Sequence, residues 1–193
     1  MRDIGVDVLI SAPQKGWTGT PCCGLVMLSG RALARLPETT STSFACDLRK
    51  WLEIMQAYEN GGHAYHATMP TDGLRTLRDV MRETLGVGRE RVRQGLLELG
   101  QRVRAALERH GYRSLAAPGF QDPGVVVSYT EDDDIRTGRR FADLGMQVAA
   151  GVPLMCDEPE GFKTFRIGLF GLDKIADIDR TVDTLERALD ALD

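Results

Sequence analysis

Two short apolar runs, "VDVLIS" (6–11) and "GLVMLS" (24–29), flank a stretch punctuated by Pro13, Gly16, Gly19 and Pro21. In both runs the apolar residues are consecutive rather than alternating, which reads as a strand covered on both faces and therefore as part of an α/β sheet. The Gly and Pro residues between them dictate tight turns. The single cation of that turn, Lys15, is either an ordinary solvated side chain or an amine held at a sheet edge, where α/β folds open onto ligand crevices.

Downstream, "CDLRKWLEIMQAYENGG" sets Leu48, Trp51, Leu52, Met55 and Tyr58 at helical spacing, with Asp47 suited to the first turn and Gly61 past the end. After the polar stretch "HAYHATMPTDG", Leu74, Leu77, Met81 and Leu85 predict a second helix with Thr71 or Asp72 as N-cap. A third runs from Arg89 to His110 on a stripe of Val92, Leu96, Leu99, Val103 and Leu107. The "GVG" at 86–88 separates it from its predecessor and marks the expected boundary between domains 1–88 and 89–193. Beyond Gly111 the pattern predicts a strand (124–129), a helix (131–145), two strands (146–151 and 165–171) and a last helix from Lys174 to Leu192: a small α+β lobe.

Composition excludes several classes. The 193 residues allow one full core or one domain with part of another, and a formal charge of −4 offers no basic face to nucleic acid or an anionic membrane. No run approaches the roughly 20 apolar residues that span a bilayer, and Asp3 and Asp7 interrupt the N-terminus where a signal peptide is apolar, so a cytoplasmic protein is expected. Cys22, Cys23, Cys46 and Cys156 lack CxxC spacing and are read as reduced thiols, the first two as small apolar fillers, because a disulfide between neighbours is strained. His63 and His66 have no third ligand at a diagnostic spacing, so no metal is expected. The GxxxxGK, GxGxxG and GxSxG motifs are absent. Lys15 remains: an amine becomes a nucleophile when burial or a nearby cation lowers its pKa, although a loop lysine is more commonly just solvated.

The segment "DVLISAPQKGWTGTPCCGLVMLS" (7–29) closely resembles the lysine-bearing segment of class V pyridoxal-phosphate aminotransferases, the group of alanine–glyoxylate and serine–pyruvate aminotransferases. By that resemblance Lys15 is the Schiff-base lysine and Gln14 helps hold the cofactor phosphate. "AYHATMP" (64–70) is similar to the loop whose tyrosine and threonine, here Tyr65 and Thr68, reach the phosphate of the neighbouring subunit. "FRIGLFG" (165–171) is similar to the segment whose arginine, here Arg166, grips the substrate carboxylate, as a planar guanidinium fork suits. The bland readings are loop capping for Tyr65 and Thr68 and a structural ion pair for Arg166.

The resemblance covers essentially the whole chain. It implies the C-terminal portion of the type I, aspartate aminotransferase-like fold: the end of the large-domain sheet (1–88) plus the small α+β domain (89–193). It further implies pyridoxal 5'-phosphate as cofactor, a homodimer, and transamination of the alanine or serine to glyoxylate or pyruvate type between small amino acids and keto acids. No residue of 1–193 matches the N-terminal elements of that family: the Gly-rich helix start for the phosphate, the aromatic stacked on the ring, and the aspartate on the ring nitrogen. The resemblance therefore leaves three expectations: a fragment or truncated member, a split gene whose partner supplies the N-terminal half, or a remnant that no longer catalyses. The competing expectation is a non-catalytic remnant that pairs with itself or a partner through surfaces once used for dimerisation, with the face that should have met the missing half unusually apolar. A cofactor-free Schiff-base lyase has no acid/base partner to support it.

Overall fold

Val8–Ser11 (β1) and Leu25–Leu28 (β2) pair antiparallel, Val8 opposite Leu28 and Ser11 opposite Leu25, as a two-stranded sheet. The computed structural model describes residues 1–192, which divide into two units: Met1–Lys15 with Gly19–Asp79, and Gly16–Thr18 with the chain from Val80 onward. In the first, Ser29 follows β2 directly and caps Gly30–Arg35 (α1), its Oγ accepting from the Ala32 N–H at 3.2 Å. Asp47 caps Leu48–Glu59 (α2) by accepting from the Lys50 N–H at 3.1 Å, and Gly61, at φ 75°, carries the chain out of the helix. Thr71–Val87 (α3) starts directly after Pro70, so Thr71 and Asp72 lie inside its first turn rather than capping it from outside.

The expectation of strands covered on both faces fails for β1, while Leu25, Val26 and Leu28 of β2 are half-buried. Val8, Leu9 and Ile10 are 48%, 44% and 72% exposed. Continuous apolarity belongs to a strand with sheet neighbours and helices on both sides, and a two-stranded ribbon provides neither.

The second unit is built on Arg89–Arg109 (α4), Val125–Tyr129 (β3), Asp133–Thr137 (α5), Arg139–Asp143 (α6), Ala149–Ala150 (β4), Thr164–Gly168 (β5), Leu172–Ala176 (α7) and Ile178–Asp190 (α8). Its sheet is antiparallel in the order β3-β5-β4, with Val126 opposite Ile167 and Ser128 opposite Phe165. The predicted stripe of α4 is buried at Leu99, Val103 and Leu107, against Leu185 and Leu189 of α8 and Phe165 and Ile167 of β5. Phe165 meets Tyr112 edge to face at 5.3 Å and Phe141 at 5.5 Å. Arg104, buried on the same helix, ties α4 to the entry of β3 by donating to the carbonyls of Gly100, Asp122 and Val125, and burial pulls its pKa down. Gly100 makes room for this approach: a Cβ there would stand 2.9 Å from the Pro123 carbonyl oxygen.

Two predicted helices are each broken in two. The 131–145 helix turns at Gly138 (φ 81°), between α5 and α6; the 174–192 helix is interrupted at Asp177, whose carboxylate caps α8 by accepting from the Arg180 N–H at 3.0 Å. Periodicity runs through the second break because α7 and α8 both pack on α4, while the short polar side chain of Asp177 prefers to bond the backbone beside it. Of the expected strand 146–151, only Ala149 and Ala150 pair with β5. No helix among the described residues is long and apolar enough to cross a membrane.

Leu99 is fully buried at the centre of this core. Leu99→Ala should destabilise the chain by about 2–5 kcal/mol, the range for emptying such a site. Urea unfolding of the full chain measures it, and a loss below about 1 kcal/mol would mean that the α4 stripe is not the organising face.

Candidate functional site

Lys15 lies in the connection that leaves β1 after Ser11. The Gly19 N–H donates to the Pro13 carbonyl at 2.9 Å, Pro13 is buried, and a Cβ added at Gly19 would touch Leu77 of α3 at 3.6 Å. Pinning both ends pushes the tip outward, so Gln14 and Lys15 are exposed. The sequence suggests an amine recessed in a crevice; in this chain it faces outward, because a crevice at a sheet edge needs more strands than the two present.

Lys15 differs from the other three lysines in its freedom. Lys50 pairs with Glu53 at 3.1 Å, Lys163 with Asp133 at 3.1 Å and Lys174 with Asp173 at 3.6 Å. Among the described residues no carboxylate lies within ion-pair reach of Lys15.

The base of the lysine hairpin is locked by Asp7, which sequence reasoning noticed only as a charge. Its carboxylate accepts from Ser29 Oγ at 2.6 Å and from Arg31, and its carbonyl accepts from the Ser29 N–H at 2.8 Å. The Arg31 guanidinium first, then the Ser29 hydroxyl, hold the Asp7 carboxyl below the usual carboxylate range. Ser29 ahead of a helical run was a readable cap signal; the partner 22 residues upstream was not.

Tyr65 and Thr68 are brought together. Tyr65 Oη and Thr68 Oγ1 lie 3.1 Å apart, and both residues are exposed. The loop that carries them is anchored by His66, whose Nε2 lies 2.9 Å from the Phe44 carbonyl oxygen and whose ring stacks on Phe44 at 4.1 Å and meets Trp51 of α2 edge-on at 5.0 Å. Trp51 Nε1 in turn donates to the Ala45 carbonyl at 2.8 Å. His66 is thus the post on which the hydroxyl pair stands.

Arg166, in the second unit, alternates with Phe165 and Ile167 on β5, so burial of those two turns it to the other face. Its Nε donates to the Ala150 carbonyl at 2.9 Å, which orients the guanidinium and leaves its two terminal nitrogens outward. No salt bridge ties it among the described residues, so the structural ion pair considered for it is not seen. The next segment is closed by Glu158, which accepts from the N–H groups of Leu154, Met155 (2.7 Å) and Cys156 (3.1 Å); its own backbone N–H leads the donors that lower its pKa. Two recesses of about 550 and 290 Å³ in this unit, the first beside Gly138 and Met146, the second beside Gly151 and Phe162, contain none of the five predicted site residues.

The chain is 28% identical over 197 residues to the 2-aminoethylphosphonate–pyruvate transaminase of Burkholderia ambifaria, covering 100% of this chain and 50% of that protein. It is 28% identical over 204 residues to the alanine–glyoxylate aminotransferase of Oryctolagus cuniculus, covering 98% and 48%. The alanine–glyoxylate aminotransferase of Nostoc sp. superposes with a TM-score of 0.79 at 21% identity, covering 98% of this chain and 48% of that one. The chain is thus similar over its length to about half of these aminotransferases, and shares their fold. The pyridoxamine–pyruvate aminotransferase of Mesorhizobium loti gives the same picture, with a TM-score of 0.78 at 18% identity over 98% of this chain and 47% of that one. No family model matches the chain. The chain spans about half the length of the relatives it matches.

One position is indispensable to the Arg166 frame. A Cβ at Gly151 would fall 1.9 Å from the Thr164 carbonyl oxygen, against backbone that cannot move aside while β4 and β5 remain paired. Gly151→Ala should therefore unzip Ala150 from Phe165 and release the carbonyl that holds Arg166. Hydrogen exchange of the β5 amides checks this: protection should fall around Phe165 and stay high on α4, and unchanged β5 protection would refute it.

Proposed function

We propose that this chain is the lysine-bearing half of a pyridoxal-phosphate-dependent aminotransferase that moves an amino group from a small donor to a keto acid of the glyoxylate or pyruvate kind. The reading is supported by the whole-length match to aminotransferases, and one observation carries it to a residue: Lys15, in the segment that resembles the family's, is the lysine with no carboxylate partner among the described residues. Alanine, serine and 2-aminoethylphosphonate are the candidate donors, the last because a relative carries it in its name. The free thiols suit a reducing, cytoplasmic setting.

The residues present fit the cofactor. Lys15 offers a primary amine to an aldehyde, Gln14 beside it offers a carboxamide to a phosphate, and the Tyr65–Thr68 hydroxyl pair offers donors to the phosphate of a second subunit. Once bound, the cofactor supplies the electron sink that makes an amino acid's α-proton removable. Lys15 Nζ would then take that proton and return it on the other side of the exchange. Arg166 holds the substrate carboxylate, or a phosphonate in its place, through its two terminal nitrogens. Each half-reaction runs one way with the donor and the other with the acceptor, so an amino acid and a keto acid trade their nitrogen with no net redox change. Because Tyr65 and Thr68 would serve the neighbouring subunit's cofactor, the complete site is that of a homodimer.

Incubated with pyridoxal phosphate and reduced with borohydride, the chain should carry its label on the Lys15 peptide, with little on Lys50, Lys163 or Lys174. A label spread evenly over the lysines, or undiminished in Lys15→Ala, would remove the assignment. In an assembly completed by the first half, Arg166→Ala should raise the amino-acid KM by on the order of tenfold to a hundredfold, the loss expected of a charge-assisted pair. Cofactor affinity should be unchanged, and equal losses of both would return Arg166 to a structural role.

A second reading is favoured by one feature, the exposure of Val8, Leu9 and Ile10: the chain is a non-catalytic module that pairs through this apolar ribbon. It predicts no imine absorption with pyridoxal phosphate at Lys15.

A further inference from the structure

The connection that carries Lys15 ends in Cys22 and Cys23, which no step above uses. Their sulfurs lie 3.9 Å apart, and both residues are half-buried. Cys22 packs on the first turn of α3: a Cβ added at Gly73 would fall 2.7 Å from Cys22 Cβ and 3.3 Å from its Sγ. Glycine at that helical position, at a cost of roughly 1 kcal/mol relative to alanine, leaves the space that keeps the Cys22 thiol beside its neighbour instead of displacing it.

The sulfurs are in nonbonded contact, and a disulfide between adjacent residues is strained, which disfavours direct oxidation to one. Their separation is near what one bridging atom spans: two bonds to sulfur of about 2.3 Å, meeting at the roughly 95–100° angle of a pyramidal trivalent centre, set the sulfurs about 3.5 Å apart, a closure of a few tenths of an ångström. A structural zinc ion needs four ligands, and the described residues hold no group of three or more His, Cys, Asp or Glu side chains able to take a metal. The occupant must therefore bring its remaining bonds with it. A monosubstituted trivalent arsenical does so, with one carbon substituent and two positions open to sulfur, and thiols are the soft ligands such a centre prefers. Oxidation is the weaker alternative, since it begins at a thiolate, and burial first, then Cys22, push the Cys23 thiol pKa up.

We propose that Cys22 and Cys23 form a vicinal dithiol site that captures a trivalent arsenical by chelation. The reaction is R–As=O + 2 R'SH → R–As(SR')2 + H2O: two As–S bonds form, the As–O bonds are lost, both thiol protons leave as water, and no oxidation state changes. Because the two sulfurs act together, capture should exceed that of a single thiol by on the order of a hundredfold, the usual gain from an intramolecular second bond.

The test is titration of the full chain with phenylarsine oxide, read by intact mass and peptide mapping. One adduct per chain is expected, bridging the 22–23 peptide, stable to excess 2-mercaptoethanol and removed by 2,3-dimercaptopropanol, with Cys46 and Cys156 still open to alkylation. Cys22→Ser and Cys23→Ser should each abolish the monothiol-resistant adduct. Should either variant misfold, Cys46→Ser/Cys156→Ser keeps the question open to measurement, because it must retain the adduct in full. An adduct displaced by monothiol, or one mapped to Cys46 or Cys156, would overturn the proposal, and neither result would bear on the role of Lys15.

Discussion

Burial of Phe165 and Ile167 against α4 is the constraint on which the second unit depends. A strand that must place those two side chains in the core has no choice about the residue between them: Arg166 goes to the opposite face. Pairing then supplies the acceptor that aims it, because β4 lies alongside β5 and presents the Ala150 carbonyl to Nε. Hydrophobic packing and sheet register thus deliver an oriented guanidinium with its outer edge unclaimed, and Gly151 is the one residue type whose backbone passes Thr164 closely enough to keep that register.

The lysine hairpin works by a different economy. Its core is nearly absent: β1 is mostly exposed, and order comes from polar ties at its base, where Asp7 gathers Ser29 and Arg31, and from the Pro13–Gly19 bond that closes the tip. Such ties are individually weak at an exposed site. They suffice to fix the direction in which Lys15 leaves the sheet, not to desolvate it. The chemistry proposed for that amine therefore depends on surfaces from beyond this chain, and the apolar ribbon of Val8, Leu9 and Ile10 has the composition such a surface would cover.

What could be read from the sequence follows the range of the forces involved. The α2, α3 and α4 helices were legible because periodicity and caps act within a turn, and the stripe of Leu99, Val103 and Leu107 was legible because one packed face repeats. The break at Asp177 was not, since the apolar repeat runs on through it, and at Gly138 a left-handed turn ends α5 and opens α6. The helix at Gly30–Arg35 went unread because it is short and buries nothing. Among the site residues, the motifs pointed to Lys15, Gln14, Tyr65, Thr68 and Arg166, while the residues that hold them, Asp7, His66 and Ala150, make contacts across 16 to 24 positions that no local pattern announces.

The same distinction explains why strand burial was the expectation that failed. Continuous apolarity reports the environment a segment is written for, whereas exposure reports the neighbours it has. In the second unit the two agree, with Val126, Phe165 and Ile167 enclosed by helices of the same chain. In the first they disagree at Val8, Leu9 and Ile10, and the disagreement is itself informative: a side chain 72% exposed at Ile10 inside a run of four strand residues gains nothing from its position in this ribbon alone. The physical reason lies in the ribbon itself: with a single sheet partner, β1 has no neighbour on its other edge to share the burial its composition suits.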